Sequence, residues 1–136
     1  MKKIIFITGV SGVGKTSIYE SIMKSDLSET YNIFDTDMLE KVNINDKDSI
    51  VFTCINHNDV ENLKLEDCVT RIVLITCNEE ELKKRLSDKN DSFINEQIKY
   101  QEWFISNLDS YDANYDNTDN IDNTVDKIID FIEIFE

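Results

Sequence analysis

Short uninterrupted apolar runs alternate along the chain with longer amphipathic stretches, and that alternation predicts its elements. Ile4-Ile5-Phe6-Ile7-Thr8, Ile50-Val51-Phe52-Thr53-Cys54-Ile55 and Arg71-Ile72-Val73-Leu74-Ile75-Thr76-Cys77 lack the polar alternation of half-exposed strands. Runs of this kind read as strands covered on both faces of a parallel sheet. Tyr31 to Phe34 reads as a shorter strand, and Tyr111 to Thr118 as a weak edge strand. Helical spacing fills the intervals. Over Thr16 to Lys24, Ile18, Ile22 and Met23 share one face, while Glu20 and Lys24 point to solvent. Val60 to Leu65 suits a short helix. Asn78 caps a helix opened by Glu79, Glu80 and Glu81, acids that complement its dipole, with Leu82 and Leu86 inward. Ser92 is read as the next cap. Behind it Ile94, Ile98, Ile105 and Leu108 recur at helical spacing, widened by Phe93, Tyr100 and Phe104, with Trp103 beside them. Asn123 and Thr124 start a closing helix that turns Val125, Ile128, Ile129, Ile132 and Phe135 inward. Glu40 to Ser49 is polar and reads as a loop.

This order predicts an α/β protein: one domain over residues 1–136, with three α/β/α layers around a mostly parallel five-stranded sheet. A chain of 136 residues can bury roughly two-thirds of its unfolded surface in one core.

Composition narrows the partners. Asp and Glu number 28 against 14 Lys and Arg, a formal net charge of -14, so the far field repels nucleic acid. It repels any polyphosphate too, so a nucleotide site has to work through local N–H groups, an ammonium and a metal ion. Mg²⁺ dependence is the expectation. The apolar run after Lys2-Lys3 ends near Val10 and reads as no export signal, and no stretch is long enough to span a membrane. A soluble, cytoplasmic protein is expected. Cys54, Cys68 and Cys77 are odd in number and lack metal-ligand spacing, so reduced thiols are expected, two of them on buried strands.

The chemistry concentrates in Gly9-Val10-Ser11-Gly12-Val13-Gly14-Lys15-Thr16, which fits G-x-x-x-x-G-K-S/T between a strand and a helix. Glycines at these positions accept positive φ and let a phosphate approach the main chain. Successive N–H groups and the start of the helix then favour an anion. Lys15 reaches the β- and γ-phosphates, and the Thr16 hydroxyl ligates Mg²⁺. Asp35 and Asp37 stand at a carboxyl strand end, the edge where open parallel sheets bind ligands. One suits metal through water; the other suits accepting a proton from a substrate hydroxyl. The third strand lacks a closing aspartate, since Thr53 and Cys54 occupy that place, which leaves the metal-shell carboxylate to Asp35 or Asp37. His57 follows at a strand end and reads as hydrogen-bonded or solvated rather than catalytic. Asp116 to Asn123 lacks the central Gly and closing Glu of a calcium loop.

On these residues the chain resembles the small P-loop kinases, P-loop NTPases that include shikimate, gluconate, adenylylsulfate and nucleoside or nucleotide kinases. Gly9 to Thr16 is the specific part. Asp35-Thr36-Asp37 looks like the family's acidic pair, Arg85 like the first arginine of the lid, and Tyr115 to Ile129 like the last strand, base-contacting loop and closing helix. The resemblance implies ATP as donor and a small-molecule acceptor, a nucleoside, nucleotide or small hydroxy compound. Lys15 and Arg85 then neutralise charge on the moving phosphoryl group, Thr16 and Asp35 hold Mg²⁺, and Asp37 orients the acceptor. A monomer or homodimer without nucleic-acid or membrane partners is implied. Two departures favour an alternative, a nucleotide-binding protein with little or no transferase activity. The stretch after Asp37 is short, and Ser87-Asp88-Lys89-Asn90 supplies no second arginine.

Overall fold

A computed structural model of the chain describes residues 2–36, 48–63 and 65–135. Its elements are β1 (Lys2–Thr8), α1 (Lys15–Met23), α2 (Leu27–Thr30), β2 (Asn32–Asp35), β3 (Ser49–Thr53), α3 (His57–Asn62) and β4 (Cys68–Thr76). They continue as α4 (Glu79–Arg85), α5 (Asp91–Ser106), a 3-10 turn (Leu108–Ser110), β5 (Ala113–Asp116) and α6 (Ile121–Ile134). The strands form one sheet in the order β2-β3-β1-β4-β5, and each neighbouring pair runs parallel. Strand direction therefore brings every carboxyl end to one edge, with β1 at the centre.

Burial explains why the strand runs are continuous. Successive strand residues point to opposite faces, and Ile4, Ile5, Phe6 and Ile7 are all at most 2% exposed. Ile50, Val51 and Phe52 of β3 and Val73, Leu74 and Ile75 of β4 are as deeply buried. Both faces of the sheet are thus covered by helices, as in a three-layer α/β protein. α1 lies beside α6, and the Tyr19 ring on α1 meets Phe52 edge-on at 5.6 Å.

The helix boundaries depart from expectation where an asparagine caps earlier. Asn90, not Ser92, caps α5, its side-chain oxygen accepting from the Phe93 N–H at 2.8 Å. Asn120 caps α6 and serves two donors, Asp122 N–H and Asn123 N–H, so that helix begins before Asn123 and Thr124. α3 starts at His57 because Asn56 and Asp59 form a reciprocal capping box. Asn78 caps α4 as expected. β4 begins at Cys68, earlier than the apolar run suggests, since its first residues pair with Lys2 and Lys3. β3 ends at Thr53, before Cys54 and Ile55.

Two inward assignments fail. Met23 is 42% exposed, because it closes α1 after the buried turn of Ile18 and Ile22. Ile105 is 47% exposed, since α5 turns Gln101 and Phe104 inward and the next position along faces out. Asp37 and the polar stretch after it lie outside the described residues, apart from its last positions, Asp48 and Ser49.

Candidate functional site

Gly9 to Gly14 leaves β1 at the middle of the carboxyl edge and enters α1. Val10 and Val13 are buried and anchor the loop from beneath, so only their backbone is available to a ligand. Gly14 is the N-cap residue of α1 with φ 99°, and as a glycine it has no side chain with which to cap the helix. A helix start behind a glycine turn is the physical setting of an anion site. A side chain at Gly14 is excluded twice, by the positive φ and by the Asn117 side chain, whose Nδ2 would stand 2.5 Å from an added Cβ.

Lys15 is half-buried. Its Nζ donates to the Gly9 carbonyl oxygen and, at 3.0 Å, to the Thr53 carbonyl oxygen, so the ammonium bridges the start of the loop and the end of β3. Thr16 is exposed in the first turn of α1. Asp35 is exposed at the end of β2, in register with Phe52, which is itself level with Ile7. β2 is two strands from β1, about 10 Å at the usual strand spacing, and Asp35 closes it on the same carboxyl edge from which the loop leaves β1. The hydroxyl and carboxylate are hard oxygen donors of the kind Mg²⁺ uses beside phosphate oxygens and water. Among the described residues no three His, Cys, Asp or Glu form a metal cluster, and Mg²⁺ bound on a nucleotide requires none.

Arg85, the last residue of α4, is drawn into the loop. Its Nη1 donates to the Gly12 carbonyl at 3.2 Å, and Nη2 to the Asn117 and Thr118 carbonyls at 2.8 and 3.3 Å. Nε meets Glu81 Oε1 at 3.1 Å. The guanidinium thereby spans the phosphate-type loop and the turn between β5 and α6. Burial pushes the nearby Cys77 thiol up, with Arg85 opposing and Asp116 and Glu81 reinforcing the shift. Burial thus favours the neutral thiol over the thiolate that nucleophilic chemistry needs.

Three site residues carry no motif. Asn117 is 2% exposed; its Nδ2 donates to the Val13 carbonyl at 2.8 Å, while Oδ1 has no hydrogen-bond partner among the described residues. Gln101 grips the backbone of Cys77 with both ends of its amide, at 3.1 and 2.7 Å. Gln97 Oε1 accepts from the Ser11 N–H at the tip of the loop at 3.0 Å. The signal for the two glutamines was present: polar residues at 97 and 101 interrupt an otherwise apolar helical face. His57 is buried, stacked on Trp103 at 5.4 Å, with Nδ1 3.1 Å from the Tyr111 hydroxyl. It joins α3 to α5 and the chain that follows.

A groove of about 570 Å³ lined by Arg71, Tyr115, Lys127 and Phe131 involves none of these residues. No helix among the described residues is long and apolar enough to cross a membrane.

No family model and no curated protein sequence matches the chain. Solved structures do match. The shikimate kinase from Acinetobacter baumannii in complex with shikimate has a TM-score of 0.67 at 12% identity, covering 100% of this chain and 96% of that one. A gluconokinase from Sinorhizobium meliloti 1021 has a TM-score of 0.62 at 17% identity, over 92% of this chain and 88% of its own. The shikimate kinase from Bacteroides thetaiotaomicron gives 0.59 at 14% identity, over 96% and 98%. With its all-parallel sheet, the chain has the fold of the small P-loop kinases. The solved structures that share this fold include enzymes named for phosphoryl transfer to gluconate and shikimate.

Proposed function

We propose that the protein is an ATP- and Mg²⁺-dependent phosphotransferase acting on a small hydroxylated acceptor. The observation that carries this reading is the loop itself: an α1 start behind a glycine N-cap with φ 99°, with the Lys15 ammonium folded across the loop onto Gly9 and Thr53. An ammonium held by carbonyl oxygens can exchange them for the terminal phosphate of a bound nucleotide. The first N–H groups of α1 bind the inner phosphates, and Lys15 holds the outer one. Thr16 and a water-bridged Asp35 hold Mg²⁺, which when bound offsets negative charge on the phosphate oxygens. Arg85, which touches the loop at Gly12, offsets charge on the transferred group once released from its carbonyl partners. Asp37 takes the acceptor hydroxyl. The acidic surface favours a small acceptor over a polynucleotide. The protein works in the cytoplasm, where ATP is at hand.

Calorimetry with Mg-ATP on the purified chain and on Lys15→Ala tests the binding half. Wild type is expected to bind and the variant to lose binding by about 100-fold or more. ADP release is then measured with gluconate, shikimate and a nucleoside panel. Acceptor-stimulated release supports transfer, and binding of ATP without any stimulation removes it. A second reading, a nucleotide-binding protein with little transferase activity, is favoured by one feature. Only residues 86–90 connect α4 to α5, and Arg85 is already engaged by Glu81 and three carbonyls.

A further inference from the structure

The helix α5 is fastened across the carboxyl edge of the sheet by two adjacent side chains, Tyr100 and Gln101. Gln101 holds the Cys77 backbone just past β4. Tyr100 donates to the Cys54 carbonyl just past β3, at 3.1 Å, and accepts from Asn56 Nδ2 at 3.4 Å. Phe104 below them is fully buried. These anchors fix the azimuth of α5, and the residue one turn toward its start on the same face is Gln97, whose Oε1 takes the Ser11 N–H. The amide at the loop tip is thus satisfied by an oxygen from another element. A loop N–H of this kind is one that a glycine-rich phosphate loop can offer to a phosphoryl oxygen.

Ser11 is two residues beyond Gly9, the residue whose carbonyl holds the Lys15 ammonium. A polyphosphate with its inner phosphates at the start of α1 and its outer one on Lys15 runs along the loop, on which Ser11 offers the N–H that α5 holds. We propose that Gln97 is the residue through which α5 reads that terminal phosphate. With a diphosphate bound, its Oε1 keeps the Ser11 N–H. A triphosphate takes the N–H over, and the Gln97 carboxamide turns to donate an N–H to a terminal oxygen. A neutral amide suits both states because it carries an acceptor and a donor on one group. The inference rests on the nucleotide reading of the loop above.

The test compares Mg-ADP with Mg-AMPPNP, a non-hydrolysable triphosphate, by calorimetry on the full chain and on Gln97→Glu and Gln97→Ala. The Glu variant keeps length and the bond to Ser11 N–H but sets a carboxylate against the terminal phosphate. Its affinity for the triphosphate is expected to fall about tenfold or more, with the diphosphate held within about twofold. The Ala variant is expected to narrow the ratio of the two affinities. A melting temperature close to that of wild type reports an intact fold in each variant. Equal shifts for both nucleotides, or none for either, overturn the role of Gln97 and leave nucleotide binding standing. Wild-type protein that binds neither nucleotide overturns both readings.

Discussion

Asn117 Nδ2 donates to the Val13 carbonyl oxygen at 2.8 Å, joining the turn before α6 to the loop before α1 across 104 residues of sequence. The same asparagine sends its backbone N–H to Thr76 at 2.7 Å and its carbonyl to Arg85 at 2.8 Å. One residue therefore ties β4, α4 and the loop together. Asn117→Ala deletes a buried side-chain bond and leaves the Val13 carbonyl without this donor, at a cost of about 1–3 kcal/mol. For a domain of this size that lowers Tm by roughly 3–10 °C. Calorimetric melting of the variant checks it, and an unchanged Tm contradicts the clamp.

Gly14→Ala strikes the same contact from the other side. The substitution forces an L residue to φ 99° and sets its Cβ 2.5 Å from Asn117 Nδ2. Left-handed backbone strain alone costs about 1–3 kcal/mol. Nucleotide binding is expected to fall further than stability does, because the strained residue sets the direction of the N–H groups that start α1 at Lys15. Urea unfolding and calorimetric Kd on the same variant separate the two losses. A variant that melts normally and binds normally would mean the loop relaxes freely there.

The sheet and the phosphate-type loop were legible in the sequence because both are written in contiguous residues. An apolar run long enough for a strand has one reading when it is buried on both faces, and Gly9 to Thr16 carries its spacing within eight positions. The way α5 docks was not legible. Ile94, Ile98, Ile105 and Leu108 suggested one inward row, whereas Gln101 and Phe104 take the deepest places because Gln101 satisfies two backbone groups of Cys77. A polar side chain whose partner is backbone leaves no matching letter elsewhere in the chain. The same is true of Asn117 with Val13 and of Gln97 with Ser11. Arg85 stands out in the sequence only as a cation of the expected lid, and its three carbonyl partners were not legible.

Those partners make Arg85 separable by substitution. A lysine ammonium keeps the charge yet lacks the planar fork that reaches the Gly12, Asn117 and Thr118 carbonyls together. If Arg85 acts on the transferred phosphoryl group, Arg85→Ala lowers kcat by roughly 10³ or more and Arg85→Lys restores only a small part. Glu81→Gln loosens the partly exposed ion pair at a cost of no more than about 1 kcal/mol and leaves kcat nearly intact. Steady-state kinetics on the three variants checks this. Loss of Tm in Arg85→Ala without loss of kcat would assign the residue to the clamp alone.

Tyr111 provides a pH test of the joint between α3 and α5. Its hydroxyl accepts from the His57 backbone N–H at 3.3 Å and lies 3.1 Å from His57 Nδ1, with Trp103 stacked on the far face of the imidazole. Burial pushes the phenol up to about 12, against the lowering effect of the His57 N–H. An unfolded tyrosine ionises near 10, so between about 10 and about 12 the native state binds more protons than the unfolded chain. The stability this group contributes is thus complete below pH 10 and is lost as pH rises toward 12, by on the order of 2 kcal/mol at most. Tyr111→Phe removes both the bonds and the titration. At pH 8 wild type is expected to exceed the variant by about 1–2 kcal/mol in urea unfolding. Toward pH 11.5 that advantage should shrink to nearly nothing, because the folded wild type alone has to hold a buried phenol un-ionised. A constant offset across the range would show that the hydroxyl is solvated and that His57 does not hold it.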